Sequence, residues 1–339
     1  MSCYYPIKAV EIGLNDNGKK KLSFNFDGLD DDKDAIIWKH KGYKIIELPC
    51  GKCIGCRLDY SRDWANRCMY EAKQYKHNYF LTITYDDEHL KRQMKIDKET
   101  GEVIEIKSAA TLFKKDLQNF MKNLRRHWEY KYKWNGIRFY ACGEYGDKRG
   151  RPHYHIILFN CPIYDLKSIR KSDKGQLLWN SAEIEKIWGQ GLTAIGEVTW
   201  DSAAYTARYV MKKIKGPEKD KIYDDIGIIP EFTLMSRKPG IGKNYFDEHA
   251  DEIYKYDEML VQTRQKVIRA KPARYYDKLF DLSNPTRMAE IKEERLRCTK
   301  NAEALRATDI GKSAYREVQA RTKQNAIKSL RRKYERGIQ

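Results

Sequence analysis

Two short motifs in this chain carry residue types whose spacing could do chemistry. The first is Pro152-His153-Tyr154-His155-Ile156-Ile157; the second is Tyr205-Thr206-Ala207-Arg208-Tyr209-Val210-Met211-Lys212-Lys213. Imidazoles at i and i+2, set among β-branched and aromatic residues, point to one face of a strand. That geometry suits two ligands of one metal ion. Phenols at i and i+4 share one face of a helix. A metal that polarises a phosphate, beside paired tyrosine nucleophiles, is equipment for cutting and rejoining a DNA strand through a covalent phosphotyrosine.

The elements that must position these residues are legible around them. A strand over 137–145 puts Arg138, Tyr140, Cys142 and Glu144 on one face. A strand over 153–159 does the same for His153, His155, Ile157 and Phe159. The intervening Gly146-Asp147-Lys148-Arg149-Gly150-Arg151 reads as a hairpin turn, so Glu144 can lie across from the histidines. Two imidazoles and a carboxylate leave positions open for water and a phosphate oxygen. The ligand types suit Mg²⁺ or Mn²⁺, and zinc is compatible with them. An isolated H-x-H is usually half-buried sheet; the carboxylate at hairpin distance, the basic chain and the tyrosine helix favour the metal. His127 and His249 lack such company and are expected to be structural or surface residues. On the tyrosine helix, expected over 202–215, Ala203, Ala207, Val210 and Ile214 form a packing stripe. Tyr205, Tyr209 and Lys212 form a second stripe on roughly the opposite side. A phenol of pKa about 10 is a poor nucleophile at neutral pH, so a metal and Lys212 would have to favour the phenolate.

Composition sets the partner class. The 339 residues carry 66 Lys+Arg against 48 Asp+Glu, a formal charge of +18, with a pI near 9.3. That excess points to a polyanion. Seven Trp and 24 Tyr offer stacking surface for unpaired bases, beyond what the core absorbs. No apolar run approaches membrane-spanning length, and the first residues lack the basic and apolar regions of a signal peptide. The expectation is a reducing cytoplasm, where the eight cysteines are thiols or metal ligands rather than disulfides.

Along the chain, strands are expected at 44–48, 78–85 and 193–199, with an acidic turn cluster at 27–34. Residues 86–108 read as a charged insertion with a turn between two alternating stretches. Helices are expected over 57–76, over 111–128 (Phe113, Leu117, Phe120, Met121, Leu124 and Trp128 at spacings of three and four), within 165–188 ending near Trp188-Gly189, and around 246–268. The central order is β-α-β-β-α-β followed by a helix, an α+β, ferredoxin/RRM-like antiparallel sheet with packed helices. Four regions follow: 1–76, with a cysteine cluster and a helix; 77–216, the core; 217–285, an extension; and 286–339, a basic helical or partly disordered tail.

Phe80-Leu81-Thr82-Ile83-Thr84-Tyr85, Gly150-Arg151-Pro152-His153-Tyr154-His155 and Tyr205-x3-Tyr209-Val210-x-Lys212-Lys213 occur in that order. With them the chain resembles the HUH superfamily of rolling-circle replication initiators, and within it the initiators of microviruses, especially the gokushovirus branch. Cys50-Gly51-Lys52-Cys53-Ile54-Gly55-Cys56-Arg57 and Ser236-Arg237-Lys238-Pro239-Gly240 look typical of that branch. The match covers roughly 50–245. Arg208 stands where a lysine is more usual, with the charge kept. The resemblance implies an HUH endonuclease fold that nicks the origin, joins tyrosine to the 5′ phosphate and leaves a 3′-OH primer. Tyr205 and Tyr209 would alternate and finally circularise the displaced strand, with Arg151, Arg208, Lys213, Arg237 and Lys238 as DNA contacts. The implied partners are single-stranded DNA, replicative-form viral DNA, and a host helicase and polymerase in the bacterial cytoplasm. Gly240-Ile241-Gly242-Lys243-Asn244 fails the nucleotide-binding pattern G-x-x-x-x-G-K-[ST], so strand separation would fall to the host. Rival readings are a transposase or relaxase of the same superfamily, and a non-catalytic single-stranded DNA- or RNA-binding protein that uses the sheet as a platform.

Cys50, Cys53 and Cys56 follow Pro49 as C-x2-C-x2-C, with Cys3 and Cys68 as candidate fourth ligands. The spacing suits structural zinc, and less well an iron–sulfur cluster. Unligated thiols are the alternative. Cys142, Cys161 and Cys298 stand alone.

Overall fold

The computed structural model of the chain describes residues 3–15, 20–24, 44–96, 100–101, 103–146, 150–171, 175, 177–208, 223, 227–263, 265–306 and 311–334. It divides into two units: Met1–Asp59 with Arg295–Ser329, and Tyr60–Glu294 with Leu330–Gln339.

In the first unit, β1 (Ile7–Leu14), β2 (Lys20–Ser23) and β3 (Lys44–Leu48) form an antiparallel sheet in the order β2-β1-β3. The Arg316 guanidinium pairs with Glu47 on β3 at 2.9 Å. The acidic cluster at 27–34 lies outside the described residues.

The second unit is built on a seven-stranded sheet. Its central strands are β4 (Asn78–Tyr85), β7 (Arg138–Tyr145), β8 (Pro152–Phe159) and β11 (Gly191–Glu197), in the spatial order β7-β8-β4-β11, all antiparallel. With α2 (Lys114–Tyr132) and α3 (Ala182–Trp188) they make the expected β-α-β-β-α-β succession of an α+β fold. β12 (Phe232–Met235) extends the sheet beside β7; β9 (Lys167–Lys171) and β10 (Leu177–Asn180) extend it beyond β11. The charged insertion folds as an antiparallel hairpin, β5 (Arg92–Ile96) with β6 (Val103–Ala110).

The two faces of the sheet are both covered. On one, Leu117, Phe120, Met121, Leu124 and Trp128 of α2 are buried, as their spacing predicts, against Ile156 and Leu158. Phe113 caps the helix instead of joining it, and its N–H donates to the Tyr154 hydroxyl at 2.9 Å. On the other face, Ile157 and Phe159 pack with Tyr140, Ala65 and Cys68, and with Ala203, Ala204 and Ala207 of α4 (Trp200–Arg208). The alanine stripe is therefore the packing face expected of it as far as Ala207; Val210 and Ile214 lie outside the described residues.

Two expected helices are shorter than predicted. Within 165–188, residues 167–180 form the β9–β10 hairpin and only Ala182–Trp188 is helical. Ser181 fixes that start: its Oγ accepts from Ile184 N at 3.1 Å and donates to Asp165, a capping arrangement that ends the helix on its N-terminal side. Around 246–268, helix α5 (Lys243–Tyr256) stops at Asp257, whose φ is +51°. β13 (Met259–Gln262) and β14 (Val267–Ala270) follow. Met259 and Val261 are buried while Leu260 and Gln262 are exposed, a period of two that belongs to a strand. Helices α6 (Arg274–Ser283), α7 (Pro285–Arg306) and α8 (Lys312–Tyr334) complete the chain.

Helix α1 (Ile54–Lys73) holds the segment after β12. Arg67 donates to the Ile241 carbonyl at 3.0 Å, and its guanidinium lies over Trp64 and Tyr275. Glu71 pairs with Arg138 and accepts from Gly242 N at 2.6 Å. A carboxylate thus satisfies an N–H at the start of α5. Gly242 has φ +76°, and a Cβ there would meet the Tyr276 hydroxyl. Glu71 is 1 % exposed and Arg138 11 %, so removing one partner leaves a buried charge. Glu71→Ala is expected to cost about 3–5 kcal/mol, measured as a fall in the urea midpoint, with a smaller loss for Glu71→Gln.

Candidate metal centre

The hairpin register sets the site. Glu144 lies opposite His153 and Cys142 opposite His155 on the β7–β8 ladder. On the far side of β8, Thr82 of β4 lies opposite His155 and Thr84 opposite His153. Alternation sends Glu144, His153 and His155 to one face, while Tyr154, between the histidines, turns into the opposite core.

The triad is tight. Glu144 Oε1 meets His153 Nε2 at 2.6 Å and His155 Nε2 at 3.0 Å. One ligand atom from each residue lies within 4.8 Å of the others. Side-chain exposure falls from 15 % at His153 to 3 % at Glu144 and 1 % at His155, so the site opens on the His153 side. The other nitrogens are held from behind. His153 Nδ1 lies 3.0 Å from the Arg151 carbonyl oxygen, and His155 Nδ1 lies 2.9 Å from Thr82 Oγ1. A carbonyl only accepts, so His153 Nδ1 carries a proton and Nε2 is the ligand atom. Phe80 stacks on His155, with ring centroids 5.4 Å apart and planes at 14°.

Burial alone would push the Glu144 carboxyl up; hydrogen bonds from both imidazoles outweigh it and hold the group below the usual carboxylate range. Its Oε2 is buried without a hydrogen-bond partner among the described residues. An orphaned carboxylate oxygen costs about 1–3 kcal/mol, and a cation bound by the triad would relieve it. The residues present therefore fit a divalent ion.

The Tyr205 ring stands edge-on to His155, with centroids 5.1 Å apart, and also contacts Phe80. Tyr205 is thus beside the triad. Tyr209, Lys212 and Lys213 lie outside the described residues. Arg151 adjoins the site through its carbonyl, while its guanidinium donates to the Tyr85 carbonyl at 2.7 Å and pairs with Asp87. Arg208 donates to the Ala204 carbonyl within α4. Arg237 and Lys238 are exposed on the turn after β12. That turn leaves the sheet at the Arg138 end of β7, since Ser236 N bonds the Phe139 carbonyl. Six residues of strand separate Arg138 from Glu144, about 20 Å, so these two cations are not among the residues gathered at the triad. His127 pairs with Glu183 and His249 with Glu252, consistent with structural or surface roles. Sequence reasoning assigned no role to Thr82 or Phe80; the β4–β8 register was the signal that would have found them.

Four cysteines also converge. The Sγ atoms of Cys3, Cys50, Cys53 and Cys56 lie within 4.8 Å of one another. Cys68 is not among them; it is buried in the core with Tyr140 and Ala203.

The family of replication-associated proteins of the ORF2 type matches residues 78–214, which span the sheet, the triad and the tyrosine motif. Replication-associated protein ORF2 of Spiroplasma virus 4 is 36 % identical over 283 residues, covering 83 % of this chain and 81 % of that protein. Replication-associated protein VP4 of Bdellovibrio phage phiMH2K is 31 % identical over 298 residues, covering 86 % and 80 %. Replication-associated protein ORF4 of Chlamydia phage 1 is 32 % identical over 170 residues, 49 % of this chain and 38 % of that protein. No solved structure matches the chain. The chain belongs to the replication-associated protein family of these phages, the microvirus rolling-circle initiators that its motifs resemble.

Two outcomes test the triad's support. Thr82→Val leaves His155 Nδ1 unpaired in a buried site and is expected to weaken Mn²⁺ binding about 10–100-fold, read by calorimetry. Without a cation, His153 Nε2 must carry a proton to face the carboxylate. Binding therefore displaces protons, and Mn²⁺ affinity should fall as pH falls, about tenfold per pH unit for each proton displaced.

Proposed function

We propose that this replication-associated protein initiates rolling-circle replication as a site-specific DNA endonuclease and strand transferase. The observation that carries the reading is the Tyr205 ring against His155, in a site where Glu144, His153 and His155 converge on one ligand-sized space. The triad would hold Mg²⁺ or Mn²⁺, which when bound polarises the scissile phosphate.

The chain's own residues then divide the work. Thr82 and the Arg151 carbonyl fix the two imidazoles so that both Nε2 atoms face the same point. The tyrosine oxygen attacks phosphorus, the bond to the 3′ oxygen breaks, and the phenol's proton is balanced by the proton taken up on the released 3′-OH. The phosphotyrosine ester conserves the energy of the broken bond, so the same chemistry in reverse reseals the strand without a nucleotide. The free 3′-OH primes a host polymerase. Tyr205 and Tyr209 take successive turns, with Lys212 favouring the phenolate. The +18 chain holds the phosphates, with Arg151, Arg208, Lys213, Arg237 and Lys238 as contacts. The region 77–216 is the nuclease core, and work in the host cytoplasm with a host helicase follows from the phage role. No described helix is long and apolar enough to cross a membrane.

Single-stranded oligonucleotides from the phage origin, incubated with Mn²⁺ and run on a denaturing gel, test this. A covalent adduct is expected, about 10³-fold or more reduced in His153→Ala and His155→Ala and absent in the Tyr205→Phe/Tyr209→Phe double variant. Each single tyrosine variant should still nick but release few unit-length circles, with Tyr209→Phe the more damaging. Retention of DNA without any adduct would instead identify a non-catalytic binding protein. Binding should weaken with salt with a log–log slope of about −3.5 if on the order of 5 phosphates are neutralised, measured by fluorescence anisotropy.

A further inference from the structure

We infer that Cys3, Cys50, Cys53 and Cys56 bind one zinc ion as a tetrathiolate, and that this ion takes the place of an apolar core in the Met1–Asp59 and Arg295–Ser329 unit. The Sγ atoms of Cys53 and Cys3 are 3.8 Å apart and those of Cys50 and Cys56 are 4.0 Å apart. All four lie within 4.8 Å of one another. Four sulfurs around a single zinc, at Zn–S about 2.3 Å, are separated by tetrahedral edges of about 3.8 Å. An iron–sulfur cluster interposes several iron atoms, each with its own thiolate, and holds the four sulfurs much farther apart. A disulfide would bring two of them to about 2.05 Å. The spacing fits one mononuclear ion.

The backbone is arranged for anionic sulfur. Cys50 N donates to Cys3 Sγ at 3.3 Å, Cys53 N to Cys50 Sγ at 3.3 Å, and Tyr4 N to Cys53 Sγ at 3.5 Å. Such donors offset the charge of thiolate ligands. Sheet register explains why a residue 47 positions away completes the set. Ile7 pairs with Leu48 at the end of the β1–β3 ladder, so the chain before β1 and the chain after β3 leave that end together. Cys3 is on the first, Cys50 and Cys53 on the second, and Cys56 on the first turn of α1. One ion thus ties both ends of the ladder to the helix start.

The need for it lies in what the unit lacks. The three clusters of buried apolar side chains all belong to the other unit. Among the described residues, the buried apolar side chains of this one are Cys3, Tyr4, Ala9, Val10, Cys56 and Ala320. A small sheet without a core of large residues needs a covalent or metal staple, and zinc binding supplies folding free energy directly. Binding exchanges four thiol protons for one Zn²⁺ with no change of oxidation state.

The full chain decides this, in a His153→Ala/His155→Ala background that keeps zinc from the triad. Protein purified without chelators should carry about one zinc by elemental analysis, with four sulfur neighbours by X-ray absorption. Cys3→Ser should lose it, Cys3→His should keep it with three sulfurs and one nitrogen, and Cys298→Ser should leave it unchanged. Chelation should open the first 59 residues to protease. Protein without metal, iron with acid-labile sulfide, or full zinc retention in Cys3→Ser would each overturn the inference. None of these outcomes touches DNA cleavage, so the proposed nuclease stands or falls separately.

Discussion

The antiparallel pairing of β7, β8 and β4 is the constraint on which the second unit depends. Because side chains alternate, β8 serves two purposes at once. Tyr154, Ile156 and Leu158 face α2 in one core, while His153 and His155, followed by Ile157 and Phe159, face the opposite side. A one-residue slip against β7 would send the histidines into the α2 core and Tyr154 toward Glu144. The register Glu144↔His153 is thus held by apolar burial on both faces, and the site inherits its precision from packing it does not itself supply.

The same strand shows how rigidity is graded. Toward its Phe159 end it is closed by α4 and by Ala65 and Cys68 of α1. Toward its His153 end the cover thins and the carboxylate–imidazole cluster meets solvent. The buried members, Glu144 and His155, are braced by their neighbours; the more accessible one, His153, is braced by a backbone carbonyl. Rotamers fixed before a ligand arrives spare the site the entropy of ordering them. Tyr205 enters on α4, whose alanines permit close approach to the sheet, so a smooth helical stripe brings a phenol to the triad.

The two metal-ligand groups follow opposite logics. The triad is a by-product of a large, well-packed sheet and tolerates an open side. The four cysteines stand where large apolar residues are scarce, and their closed, all-sulfur set is the core. Oxygen and nitrogen donors with an open side suit exchange of a phosphate oxygen; four thiolates leave no position for one.

Much was legible in the sequence where the signal is local. The period of two in 138–145 and 152–159, the glycine turn between them and the three-and-four spacing from Leu117 to Trp128 each depend on neighbours within a few residues. The sequence therefore determined the two strands, the helix behind them and the triad itself. It misread 167–180 and 259–270 as helix, because short polar-apolar segments fit either period until a partner strand selects one. Tertiary structure alone decided that Thr82 and Phe80 support His155, that Tyr205 touches His155, and that Cys3 rather than Cys68 completes the sulfur set. Each of those is a contact between segments distant in the chain. Local periodicity carries which face a residue occupies, but only strand register and helix packing determine what it meets there.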